Sequence, residues 1–171
     1  PGAKVVSASS TVRLDKAYEK FFPAYLKALK KDKWPVDVIS IHSYPKGTGT
    51  PANRSAYLEK VNKQMKKSKV PASKQLWDTE TNYGIKGPGK TKGKSIVGDK
   101  AASWVAQTYL EDLVQGVDRT YWYFWDKPTS LLGITMQDGY PGAVGYETAY
   151  MWMAGSYYSC TPGKVNICQM G

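Results

Sequence analysis

Strand and helix signals alternate along this chain, and that alternation restricts the fold more than any other feature. Short apolar runs near residues 3–9, 36–42, 75–80 and 120–126 read as strands. A stretch with helical spacing follows each, near 16–31, 53–67, 100–115 and 143–157. In the first of these, Tyr18, Phe21, Phe22, Tyr25, Leu26 and Leu29 form one apolar stripe, with Asp15 as the expected N-cap. Tyr57, Leu58, Val61 and Met65 do the same in the second, which Thr50-Pro51 would open. Ala102, Val105, Ala106, Tyr109, Leu110 and Leu113 mark the buried side of the third, closed by Gly116.

Strict strand-helix order predicts an α/β fold with a parallel sheet and helices outside it. A full eight-unit parallel barrel takes ~250 residues. With 171 residues and about 40 per unit, the chain has room for half of one, or alternatively for a small open sheet. The half-barrel occupies 1–158 in this reading, and 159–171 forms a tail. Hydrophobic residues make up 42% of the chain, enough for a packed core and too many for a disordered segment.

The net charge is +10, from 24 basic and 14 acidic residues. Most lysines fall on the outer faces of the expected helices or in the glycine-rich loop 81–98, so the excess reads as solvated surface, and no nucleic-acid partner is expected. No apolar run reaches 18 residues, so no membrane span is expected. The two cysteines, Cys160 and Cys168, flank a Thr161-Pro162-Gly163 turn. A local disulfide closing the tail is the expectation, which places the protein in an oxidising compartment: extracellular, in a cell envelope or on a virion. The start at Pro1-Gly2, without Met or signal peptide, implies a processed chain or part of a longer product.

Catalytic groups of parallel barrels sit at the C-terminal strand ends. Those ends carry Ser9 and Ser10, then His42 and Tyr44, then Glu80 and Asn82, then Trp125 and Asp126. A carboxylate, hydrogen-bonding groups and aromatic rings together suit sugar chemistry. Glu80 is the candidate nucleophile of a retaining glycosidase, which needs a second carboxyl group about 5 Å away. The chain offers none that convinces. Glu19, Glu59, Glu111 and Glu147 fall within helices, Asp126 lies beside a stacking Trp, and Asp78, two residues before Glu80 on the same strand, is expected inside the barrel. His42, the only histidine, cannot build a metal site with others, and no cofactor is expected.

These strand ends resemble the C-terminal half of the clan A (β/α)₈ retaining glycoside hydrolases, family 39-like or family 5-like. The matching segments are Ile41-His42-Ser43-Tyr44-Pro45, Leu76-Trp77-Asp78-Thr79-Glu80-Thr81-Asn82-Tyr83-Gly84 and Tyr123-Phe124-Trp125-Asp126. They fall in the order and spacing of the clan's strands six, seven and eight, with residues 4–9 as strand five. The resemblance implies that Glu80 is the nucleophile and that His42 or Tyr44 holds it or the sugar. It implies further that Trp125 floors the reacting subsite, beside Asp126, and that Asn82 and Tyr83 shape the cleft. In the clan, the acid/base Glu ends strand four, which would precede Pro1. A half-barrel polypeptide or segment carrying it is therefore an implied partner, and a carbohydrate the implied substrate.

Two other readings compete. A carbohydrate- or envelope-binding, or structural, domain on the same scaffold would explain the single carboxylate. Gly84-Ile85-Lys86-Gly87-Pro88-Gly89-Lys90-Thr91 fits the phosphate-loop pattern, but Gly93 and Gly98 follow where that loop's helix should begin. The pattern therefore reads as a basic loop.

Overall fold

The computed structural model describes residues 2–86, 94–125 and 131–154, together with the backbone of 157–161 and 167–170. Its elements are β1 (Ser10–Thr11), α1 (Asp15–Lys31), β2 (Val38–His42), α2 (Pro51–Ser68), β3 (Gln75–Thr81), α3 (Gly98–Val114), β4 (Arg119–Trp122), α4 (Pro141–Met153), β5 (Tyr157–Thr161) and β6 (Ile167–Met170). Strands β1 to β4 form one sheet in sequence order, with every neighbouring pair parallel. This is the expected α/β arrangement.

The first strand is more broken than the sequence implied. Only Ser10–Thr11 is regular, although Val6 bridges to Val38 and the Ser7 amide donates to the Val38 carbonyl at 2.9 Å. Asp15 is not an N-cap. Leu14 holds that position without a side-chain cap, and Asp15 opens the helix with its carboxylate turned to Lys46. Thr50 does cap α2: its hydroxyl accepts from the Asn53 amide, and Asn53 answers at the Thr50 amide. Helix α4 stops at Met153, and where 143–157 was expected to stay helical, strand begins at Tyr157. Cys160 faces Cys168 across the β5–β6 hairpin backbone, while the side-chain expectation for both lies outside the described residues.

The main core lies between the sheet and the first two helices. Phe22, Leu26 and Leu29 of α1 and Leu58 and Val61 of α2 close over Ile39, Ile41 and Leu76. Phe21, expected in that stripe, stays exposed. A second cluster joins Tyr83, Ala101, Val105, Ile134 and Met136. Helix α4 packs tightly on α3 because Gly145 lies directly on the Ala102 carbonyl, where any β-carbon would collide. The buried face of α3 carries Thr108, Glu111 and Asp112 beside Ala101, Val105 and Ala106.

The other face of the sheet carries Ser9, Ser40 and Thr79, whose hydroxyls bond one another, and Trp77 beside Tyr121. Tyr121 is 43% exposed, so among the described residues nothing covers this face as helices cover the other.

Candidate active site

Glu80 reaches the rim of the sheet through a β-bulge. Ile41 pairs with Asp78, yet the next residue of β2, His42, pairs with Glu80, so β3 inserts one extra residue opposite that step. Bulges re-aim the side chains that follow them. Asp78 and Glu80, two apart, would otherwise share a face. Here Asp78 points into the helix layer, correcting the expectation that it lies inside the barrel, while Glu80 turns to the mouth.

One oxygen of Glu80 is held. Tyr44 Oη donates to Oε2 at 3.2 Å, and His42 Nδ1 lies 3.5 Å from the same atom. Among the described residues nothing donates to Oε1. Burial pushes His42 below its ordinary value, with Arg13 adding to the effect and the Glu80 carboxylate opposing it. Burial, aided by the Glu80 charge and hydrogen bond, raises Tyr44 far above the ordinary phenol range. The phenol therefore stays protonated and remains a donor at any physiological pH.

Beneath this tip sits a buried ionic network. Arg54 of α2 donates to Asp78 at 2.7 Å and to both oxygens of Asp112, on α3, at 2.7 and 2.8 Å. Its Nε donates to Ser43 at 2.7 Å and to Thr81 at 3.1 Å. Ser43 bonds Asp78 in turn through both its amide and its hydroxyl, and Thr120 donates to Asp112 at 2.6 Å. Ser43 lies between His42 and Tyr44, and Thr81 follows Glu80, so the network fixes both strand tips from below. Burial pushes Asp112 up to about 6 and raises Asp78 as well, with the guanidinium opposing both shifts.

A cavity of about 240 Å³ opens over Glu80, lined by His42 and Tyr44 together with Thr11, Arg13, Tyr123 and Leu132, among others. Arg13 and Tyr123 were not singled out in the sequence. Tyr123 belongs to an aromatic run in which spacing alone does not say which ring faces the cleft. Among the described residues Glu80 is the one carboxylate lining the cavity.

The other expected site residues fall elsewhere. Asn82 is fully buried. Its amide donates to the Tyr123 and Ile134 carbonyls at 2.8 and 3.0 Å and accepts from the Tyr83 and Ile134 amides, stapling the β4 tip and the 131–136 segment to β3. Tyr83 is fully buried too, with its hydroxyl bonded to Thr108 at 2.7 Å. Neither lines the Glu80 cavity; both pack behind the strand tip. Trp125 is 48% exposed, packs edge-on to Tyr146 and donates to Asp138 at 3.2 Å. It does not line the Glu80 cavity. Asp126 lies outside the described residues. No described helix is long and apolar enough to cross a membrane.

No protein-family model matches the chain, and no curated protein does. Solved structures do match its fold. A glucosidase from Croceicoccus marinus superposes with a TM-score of 0.66 at 15% identity, covering 100% of this chain and 35% of that one. A thermostable mutant of a xylanase from Cellvibrio japonicus gives 0.56 at 11% identity, covering 86% and 49%. A family 39 β-xylosidase from Caulobacter crescentus gives 0.54 at 17% identity, covering 86% and 32%. The likeness is one of fold: the parallel four-strand sheet and its helices match part of each of these three structures. The chain spans between about a third and a half of the length of these structures.

Proposed function

We propose that this chain is the second half, units five to eight, of a retaining (β/α)₈ glycoside hydrolase acting outside the cytosol, with Glu80 as its nucleophile. The observation that carries the reading is the asymmetric carboxylate. Oε2 is held by Tyr44 and faced by His42, while among the described residues nothing donates to Oε1, and Glu80 lines a cavity of sugar size. Such an oxygen can attack an anomeric carbon, and the Tyr44 hydrogen bond can follow the charge as the glycosyl-enzyme ester forms and breaks. Tyr123 supplies the aromatic wall at this cavity, and Trp125 would serve a more distant part of the cleft.

The acid/base carboxyl would come from a preceding half-barrel, as a segment of the same product or as a separate polypeptide. Matches that extend well beyond this chain's own span support that assignment. The Cys160–Cys168 disulfide belongs to the same proposal, resting on their facing positions in the hairpin.

The test is hydrolysis of a panel of oligosaccharides by the protein with any polypeptide that co-purifies, followed by ¹H NMR of the first product anomer. Retained configuration, and a loss on the order of 10⁴-fold in Glu80→Gln, is the expected result. Inversion, or full activity in the variant, would contradict it. Because the cavity holds a single described carboxylate, a non-catalytic carbohydrate-binding role is the second reading. It predicts binding unchanged in Glu80→Gln and turnover in neither protein.

A further inference from the structure

Arg13 stands in the turn after β1, on the wall of the cavity that holds Glu80. It is nine-tenths buried, with 9% of its surface exposed. Its guanidinium lies 5.7 Å from the centre of the Tyr44 ring. Among the described residues nothing accepts a hydrogen bond from it, and no carboxylate pairs with it. Arginine keeps its charge at any physiological pH, and the Arg13 guanidinium nitrogens are not sealed from solvent but open to the cavity. The other buried arginine, Arg54, meets two carboxylates and two hydroxyls. Arg13 is thus a planar, five-donor group held beside a reacting carboxylate without an acceptor of its own.

Tyr57 is close enough to Arg13 for the two to influence each other's ionisation. Beyond it lies a second hollow of about 330 Å³, lined by Lys46, Asn53, Tyr57 and Lys60. Lys46 and Lys60 both pair with Asp15 there, at 2.9 and 3.9 Å, so this hollow adds one ring and two compensated cations.

Resting on the hydrolase reading, we infer that the substrate is an anionic glycan whose charged substituent, a carboxylate or a sulfate, is received by Arg13 beside the cleaved bond. The fork of the guanidinium suits either group, since both present paired oxygens.

The experiment measures binding and turnover of matched oligosaccharides: neutral, uronate-bearing and sulfate-bearing versions of the same backbone. It uses wild type, Arg13→Met and Arg13→Lys, with thermal unfolding as the check on folding. The expected result is a preference of about tenfold or more for an anionic member over its neutral counterpart, shrinking as salt is raised. Arg13→Met should erase that preference and Arg13→Lys keep part of it. The uronate and sulfate arms identify the group. Neutral members handled as well as acidic ones would overturn this inference and leave the hydrolase reading standing. A preference that survives in Arg13→Met would overturn it too, since the charged substituent would then be received by another group. If Arg13→Met does not fold, Arg13→Lys and the wild-type comparison still decide. Failure to bind or cleave any glycan would overturn both readings.

Discussion

At the carboxylate of Glu80 the two oxygens have different jobs available to them, because Tyr44 donates to one and leaves the other open. A hydrogen bond to a charged group contributes about 1.5–3 kcal/mol. Tyr44→Phe should therefore lower kcat/KM by about 10- to 100-fold with the fold intact, as steady-state kinetics would read. His42 gives a pH signature. Burial lowers its pKa in the folded state, so between that lowered value and 6.5 the unfolded chain binds more protons. Stability should fall as pH drops from 6.5 through that window and level off below it. As the only histidine, His42 offers one imidazole resonance to follow by NMR, and His42→Gln should flatten the slope. Glu80, His42 and Tyr44 were legible in the sequence because strand-tip position and chemistry coincide there. Arg13 was not, since one arginine before a helix looks like surface until the cavity closes around it.

The elements meet at the bulge in β3 and at Arg54. The sequence placed β2, β3 and three helices to within a few residues, because their apolar spacing survives in the core; of the first strand, expected over 3–9, only Ser10–Thr11 is regular, and β4 ends at Trp122. It did not reveal that Asp78 and Glu80 part company, since period-two alternation assumes a regular strand. Nor did it reveal the Arg54 network, whose members read as polar helix and strand residues until α2 and α3 bring them together. Removing the cation leaves two buried carboxylates uncompensated, so Arg54→Met should cost about 3–5 kcal/mol in denaturant unfolding. Asp112 supplies the opposite pH dependence to His42. With its pKa at about 6 in the fold and 3.8 as the reference, the folded state holds more protons in that interval. Stability should decline as pH rises through it, and Asp112→Asn should remove that decline. The buried polar side of α3 has the same origin: Thr108 meets Tyr83 and Asp112 meets Arg54, partners distant in sequence.

Across the described residues, one face of the sheet is closed by helices and the other carries half-buried Trp77 beside exposed Tyr121. Strands β1 and β4 each have a single neighbour in the described sheet. Open edges and an uncovered aromatic face invite association. Hydrogen exchange should therefore be slowest in β2 and β3 and faster in β1 and β4, and a preceding half-barrel added in trans should slow both edges. Unchanged exchange at the edges would argue against barrel completion. The most direct test of the account is covalent trapping. Treating the active preparation with a panel of fluorinated or epoxide glycoside analogues, then mapping the label by peptide mass spectrometry, should place a single adduct on Glu80. A preparation that cleaves glycans yet carries its adduct on another carboxylate, or turns over the analogues with no adduct at all, would contradict it.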